Sequence, residues 1–361
     1  MAKEKVRIGY VGCGVMGRVY MKAAQAIPPA VSEAVTDLNL DLARAAADEF
    51  RIAKVYATAE ELFRDPAIDA VVLALPTAFR TPLALQALQA GKHVLTEKPV
   101  AMHADEVKQL IQARGSLKVG CCSARLRCQD SAEAVASVVA SGQLGEIRVL
   151  HSRWQTAVKP KPDVPPPLWR LSKSVNGGGN LANLGSYALD YMLGIVNWRL
   201  RPEHVFARTW SVPDLFQEHV APGTDAESLT TAMITFEGGP VLMLEQGEFA
   251  VGRQETVWRI TGTHGSLSFR ILPSKQTIVL DTYRDGAQSE EVVWEGEENF
   301  ATMQQRLLAD FVQAIVLDQE PKTNLEQAYV VRRVMDAIYE SATLGHSVPY
   351  EMNSIVGGIT P

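Results

Sequence analysis

Gly12, Gly14 and Gly17 stand in G-x-G-x-x-G spacing within VRIGYVGCGVMGRVY. A strand-like apolar run, Val6–Val11, precedes the motif, and a helical pattern follows it. No other feature constrains the fold as much. The first glycine permits a tight turn, the second lets backbone approach a pyrophosphate, and the third lets helix and strand pack closely. The helix N-terminus then faces the phosphates with its unpaired N–H groups. Asp37 closes the next strand-like run, SEAVTD, twenty positions after Gly17. A carboxylate there can accept both ribose hydroxyls of NAD and repels the 2′-phosphate of NADP. Leu38 follows it, where an arginine would suit NADP. The glycines alone could be a turn that binds nothing, with Asp37 a plain helix cap. Strand, helix and acid together favour NAD(H), with NADP(H) as the alternative.

The first third continues the strand–helix alternation. Strand-like runs recur at Ser32–Thr36, Ala70–Leu75, His93–Thr96 and Leu117–Cys121. Helical patterns lie at Val15–Ile27, Leu40–Phe50, Thr58–Arg64, Thr81–Ala90 and Ala104–Arg114. This order predicts a parallel sheet with helices on both faces. The strands are continuously apolar, as a sheet buried on both sides requires. Beyond residue 123 a helix over Asp130–Ser141 leads into many strand-like stretches. Gly238-Gly239 and Gly262–Gly265 mark hairpin turns between them. A helical face follows at Met303, Leu307, Leu308, Phe311, Val312, Ile315 and Val316, then a second helix from Leu325 to Thr343. The fold class is α/β: a doubly wound Rossmann sheet over 1–123, then an α/β domain over 124–361 with a large, mostly antiparallel open sheet. The 361 residues suffice for two domains of roughly 100–200 residues each.

Charge and composition exclude some roles. The net charge is −6, from 35 basic and 41 acidic residues, and a nucleic-acid coat needs a basic face. No stretch approaches the ~20 apolar residues that cross a bilayer. The start of the chain does not read as a secretory signal. Cys13, Cys121, Cys122 and Cys128 form no C-x-x-C pair and carry no zinc spacing. The expectation is a cytoplasmic protein with reduced thiols, no metal, no nucleic-acid partner and no membrane partner.

Two stretches carry candidate chemistry. In AGKHVLTEKP, Lys98 falls just past the C-terminal end of a predicted parallel strand, the edge where ligands of such sheets sit. A lysine there can orient a hydroxyl or carbonyl and move its proton; a lysine before proline is also a common surface residue. In NGGGNLANLGSYALD, three glycines precede Asn183, Tyr187 and Asp190, spaced four and three apart. On a helix they would share one face. The alternatives are a polar stripe on a packed helix and a flexible glycine loop.

Together these stretches resemble the Gfo/Idh/MocA family, the glucose–fructose oxidoreductase and inositol dehydrogenase group. SGQLGEI, Trp169-Arg170 and AIYESATLGHSVPY extend the resemblance over most of the chain. The resemblance implies a nicotinamide enzyme acting on sugars, polyols or related hydroxy compounds. It implies a homodimer or homotetramer built through the C-terminal sheet. It gives Lys98 the proton-transfer role and matches Asp190 to the last acid of the glycine motif. Tyr187 stands where many members have histidine; members similar to glucose–fructose oxidoreductase and dihydrodiol dehydrogenase carry tyrosine there. Asn183 stands where most have aspartate, and an amide cannot take up a proton. Arg80 occupies a position where many have histidine. The catalytic set is Lys98, Tyr187, Asn183 and Asp190. The cofactor-binding set is Gly12, Cys13, Gly14, Val15, Met16, Gly17, Asp37, Leu38, Leu75, Pro76, Thr77, Arg80, Glu97 and Lys98. The substrate set is Arg125, Trp169, Arg170, Asn183 and Tyr187, with Arg127 the neighbouring alternative to Arg125. The implied activity is hydride transfer between NAD(H) and a CH–OH or carbonyl carbon of a small molecule. The alternatives are an NAD-binding sensor without catalysis and an NAD-dependent glycoside hydrolase.

Overall fold

The computed structural model describes residues 4–284 and 286–351. The chain forms two compact units, 1–125 with 300–329, and 126–299 with 330–361. Residues 1–3 and 352–361, which fall in the two expected domains, lie outside the described residues.

In the first unit β1 (Val6–Val11), β2 (Ala30–Thr36), β3 (Lys54–Val55), β4 (Ala70–Leu73), β5 (His93–Thr96) and β6 (Val119–Cys121) form one parallel sheet in the order β3-β2-β1-β4-β5-β6. The helices are α1 (Val15–Ala24), α2 (Leu40–Phe50), α3 (Ala59–Arg64), α4 (Thr77–Gln89) and α5 (Ala104–Arg114). The strand order reverses between β1 and β4, which opens a crevice at the strands' C-terminal ends. Ile8, Tyr10, Val71, Val72, Val94 and Leu95 are buried, as the continuous apolar runs demand. Helix α4 begins at Thr77, one turn before the predicted Thr81, and carries Pro82 inside it. Proline lacks an N–H, so the helix tolerates it at the loss of one ladder bond.

The second unit opens with α6 (Asp130–Ala140) and β7 (Ile147–Ala157). A single helical turn, α7 (Lys173–Asn176), leads to the triple glycine, a π turn at Leu181–Gly185 and α8 (Ser186–Ile195). Seven strands follow: β8 (Pro202–Ser211), β9 (Glu227–Phe236), β10 (Val241–Ala250), β11 (Glu255–Gly262), β12 (Gly265–Phe269), β13 (Lys275–Arg284) and β14 (Ala287–Glu297). With β15 (Val348–Pro349) they order as β14-β13-β12-β11-β7-β10-β9-β8-β15. β7 and β10 run parallel and the other neighbours antiparallel. Alternation gives the sheet a buried face, with Leu150 and Trp154 of β7 beside Trp258 and Ile260 of β11. Tyr191 of α8 stacks on Phe269 of that face, ring centroids 5.6 Å apart. The opposite face presents Phe206, Met233, Trp210 and Val257 to solvent.

The last helices are α9 (Phe300–Val316) and α10 (Leu325–Leu344). The sequence reading assigned everything after residue 123 to the second domain. The compact units instead place Phe300–Tyr329 with the first. The reason is packing: α9 lies on α1 and β1, Phe311 fills the space beside Gly120, and Cys121 N–H donates to Thr323 O at 3.0 Å. The apolar stripe on α9 required burial without specifying the partner.

Candidate active site

The glycine turn follows directly from β1. Gly12 has φ +98°, and a Cβ there would lie 2.5 Å from the Ala74 carbonyl oxygen, so only glycine fits. A Cβ at Gly17 would overlap the Gly12 carbonyl. A Cβ at Gly14 would meet nothing within 4 Å, so the turn faces open space at the start of α1. No side chain caps that helix start, and its N–H groups are available to an anion. Asp37 is locked at the end of β2: Cys13 N–H donates to Oδ2 at 2.7 Å and Asn39 N–H to Oδ1 at 2.9 Å. Leu38 is fully exposed beside it, and Val15 is exposed on α1. Cys13 contributes backbone only, since its side chain is buried. The open turn, uncapped helix start and fixed acid fit the pyrophosphate and ribose of a dinucleotide.

At the end of β5, Lys98 is half-buried and Glu97 is 6% exposed. Glu97 Oε1 accepts from Arg125 Nη2 at 2.6 Å and from the Tyr20 hydroxyl at 2.6 Å, while Lys98 N–H donates to Oε2 at 3.1 Å. Burial pushes the Glu97 carboxyl up. The positive charges of Arg125, Lys98 and Arg80 and the Tyr20 hydrogen bond outweigh it and hold the group at about 2. Glu97 therefore stands ionised beneath the Lys98 backbone. Arg80 is 2% exposed, with Nη2 3.0 Å from Thr77 Oγ1 and Nη1 3.0 Å from Leu75 O. It also donates to the carbonyls of Lys98, at 3.4 Å, and Pro99. Arg80, Glu97 and Arg125, expected to touch cofactor or substrate, thus have buried side chains committed to protein groups. Thr77 is buried with them, while Leu75 and Pro76 remain partly exposed.

In the second unit the triple glycine is shaped by two partners distant in sequence. Glu227, at the start of β9, points its buried carboxylate at the turn. Gly179 N–H donates to Oε1 at 3.0 Å and Oε2 at 2.9 Å; Leu181 N–H and the Tyr339 hydroxyl each donate to Oε1 at 3.0 Å. A Cβ at Gly178 would overlap the Tyr339 hydroxyl, and one at Gly179 would overlap the Glu227 carbonyl. Burial raises the Glu227 carboxyl above the usual carboxylate range, and the four hydrogen bonds only partly offset it. Sequence reading missed Glu227, Tyr339 and Tyr20. Their partners lie 48, 112 and 77 positions away, beyond any local pattern.

The expected single helix face is interrupted. Asn183 is partly exposed in the π turn, where the ladder runs i to i+5, whereas Tyr187 and Asp190 are buried in α8. Asp190 is fully buried and accepts from Arg127 Nε at 2.6 Å. Arg127 lies over the Trp198 ring, 5.5 Å from its centroid. Asp190 is thereby a partner for arginine rather than an open acid. Trp169, 45% exposed on the 3₁₀ turn Leu168–Leu171, is not a core residue, and Arg170 pairs with Glu248. Cys13, Cys121, Cys122 and Cys128 are buried and outside any disulfide. Among the described residues no helix is long and apolar enough to cross a membrane.

Residues 6–122 match the oxidoreductase family with an NAD-binding Rossmann fold, GFO/IDH/MocA, and residues 132–268 match that family's C-terminal domain. An uncharacterised oxidoreductase of Rhizobium meliloti is 30% identical over 350 residues, 92% of this chain and 97% of the relative. The chain belongs to the Gfo/Idh/MocA family. A 1,5-anhydro-D-fructose reductase of Ensifer adhaerens is 26% identical over 96% of this chain and 98% of its own length. A solved levoglucosan dehydrogenase in complex with NADH and L-sorbose superposes with a TM-score of 0.84 at 22% identity, over 97% of this chain and 100% of that one. The Rossmann sheet and the mostly antiparallel second sheet are those of the family, and the first unit is its NAD-binding domain.

Proposed function

We propose that this family member is an NAD(H)-dependent oxidoreductase acting on a CH–OH or carbonyl carbon of a sugar, polyol or related compound. The observation that carries the reading is Lys98: a half-buried lysine at the C-terminal end of β5, held through its own backbone by Glu97 and Arg80. NAD(H), when bound, supplies or accepts the hydride. Gly12, Gly14 and Gly17 leave room for its pyrophosphate, and Asp37 receives the adenosine ribose, which favours NAD over NADP. Val15, Met16 and Leu38 give that end apolar contact. Lys98 Nζ and the Tyr187 hydroxyl bind the substrate oxygen; one takes its proton in oxidation and returns it in reduction. Asn183 orients the substrate by hydrogen bonding, and Trp169 flanks it. The sugar class rests on relatives that act on anhydrofructose and levoglucosan by name. The exposed apolar row Phe206, Met233 and Trp210 supports a homodimer or homotetramer through the open sheet face. Buried reduced thiols suit the cytoplasm.

The test is a panel of inositols, aldoses, sugar acids and anhydro-sugars read by NADH absorbance. On the substrate it finds, Lys98→Met and Tyr187→Phe should each lower kcat by about 10²–10⁴-fold with NAD affinity nearly unchanged. Wild-type turnover in both variants would refute the assignment. Asn183 favours a second reading, an NAD-binding sensor: NADH would bind, and no member of the panel would turn over.

A further inference from the structure

Arg80 is among the largest fully buried side chains of the protein. A guanidinium stays charged in proteins, and burying it is costly unless its donors find acceptors. Four acceptors meet it: Leu75 O, Thr77 Oγ1, Lys98 O and Pro99 O. Its Nε has no partner among the described residues. Burial pulls the Arg80 guanidinium down, and the charge of Glu97 opposes it most. The acceptors fall on two separate segments. Leu75 belongs to the loop between β4 and α4, and Thr77 is the first residue of α4, the helix that carries Arg80. Lys98 and Pro99 belong to the loop after β5. Both loops sit at the C-terminal edge of the parallel sheet. A neutral histidine would offer one ring donor, too few to bridge both loops. An arginine fork can.

We propose that Arg80 is the positioning residue of the Lys98 loop: it clamps the backbone of Lys98 and Pro99 to the β4–α4 loop and thereby fixes where the lysine side chain starts. It contacts neither cofactor nor substrate. The inference rests on the reading of Lys98 as the proton-handling group, and it predicts a split between binding and turnover. In the proposed function the glycine turn and Asp37 hold NADH, and Arg80 touches neither; of the other expected cofactor-binding residues it meets Leu75 and Lys98 through their carbonyls and Thr77 through its hydroxyl. Turnover needs Lys98 at a defined place, where a displacement of about 1 Å can cost 10²-fold.

The experiment compares Arg80→Ala, Arg80→Lys and Lys98→Met with wild type, as full chains saturated with NADH. Hydrogen–deuterium exchange is read in peptides covering 97–101 and 6–11. In Arg80→Ala the 97–101 peptide should exchange at least tenfold faster, with 6–11 at the wild-type rate. The NADH dissociation constant should stay within threefold. On the panel substrate kcat should fall about 10–100-fold with KM within threefold. Arg80→Lys keeps the buried charge but lacks the fork, so it should fold and show a smaller change of the same kind; it carries the test if the alanine variant does not fold. Wild-type exchange at 97–101 in both arginine variants overturns the proposal. So does a loss confined to NADH affinity, which would make Arg80 a cofactor ligand. Full turnover in Lys98→Met overturns the lysine reading alone, because exchange at 97–101 reads the clamp without any substrate.

Discussion

Replacing Glu227 should loosen the triple-glycine turn by an amount that depends on which oxygen survives. Oε1 accepts from Gly179 N–H, Leu181 N–H and the Tyr339 hydroxyl, whereas Oε2 accepts from the shared Gly179 N–H. Glu227→Ala strands three buried donors at about 1–3 kcal/mol each. Relief of the carboxylate's own desolvation offsets part of this, leaving roughly 3–5 kcal/mol. Glu227→Gln can keep its amide oxygen at the Oε1 position and serve all three donors. It loses only charge assistance, about 1 kcal/mol. All six tryptophans lie between Trp154 and Trp294, so intrinsic fluorescence in a urea titration follows the second unit alone. The sign of the pH dependence separates the variants further. The folded Glu227 carboxyl titrates above its usual value. As pH rises from about 4.5 the unfolded chain releases this proton first, and the wild type loses that part of its stability until the folded group has ionised. Glu227→Gln should lack this slope. A glutamine variant as unstable as the alanine variant, or an alanine variant within 1 kcal/mol of wild type, would refute the clamp.

Glu97 gives the opposite slope in the first unit. Its folded carboxyl sits at about 2, so its contribution, on the order of 3 kcal/mol, is full above about 4.5 and is lost as pH falls towards 2. Arg125→Met should cost about 3–5 kcal/mol at pH 7 by leaving that carboxylate unpaired, and the deficit should shrink in acid, as read by circular dichroism against temperature. A deficit that does not change with pH would dismiss the pair as its cause. Gly12→Ala should weaken NADH binding at least tenfold, through the clash with Ala74 O and the positive φ; titration of NADH fluorescence checks it, and unchanged affinity would contradict the turn's role. Asp37→Ala should raise the NADP-to-NAD affinity ratio by at least tenfold, measured the same way; an unchanged ratio would remove the acid from cofactor selection.

The elements were legible because their patterns are local. Val6–Val11, Leu40–Phe50, His93–Thr96 and Ala104–Arg114 form as the apolar periodicity predicted, residue for residue. The hairpins at Gly238-Gly239 and Gly262–Gly265 join antiparallel strands as their glycines required. Errors gathered at the ends. Helix α1 stops at Ala24 rather than at Ile27, and the outer residues of strand β14, Ala287–Glu297, are polar and carry no apolar signal. The short strand Lys54–Val55 was not visible, since two residues cannot show a period, and the closing strand Val348–Pro349 came only with the resemblance carried by AIYESATLGHSVPY. The π turn was not visible either. Nothing in LANLG distinguishes an i to i+5 ladder from a regular helix, and Asn183 falls within that turn.

The site divides along a different line. Motifs picked out the candidate backbone segments: the glycine turn, the EKP loop and the triple glycine. They did not reveal what holds that backbone in place. Arg80, Glu97 and Arg125 enter the expected ligand sets through the family resemblance, which does not specify how deeply their side chains are buried. Each is buried: Arg80 pairs with the carbonyls of Leu75, Lys98 and Pro99, Glu97 with the Lys98 N–H, and Arg125 with Glu97. The same need places Glu227 beneath Gly179 and Leu181. A buried charge is tolerated where backbone groups and opposite charges surround it, and those neighbours come from distant segments. Spacing along one chain therefore points to the candidate loops. The residues that aim them are identified by asking which buried donors and acceptors each loop would otherwise leave unsatisfied.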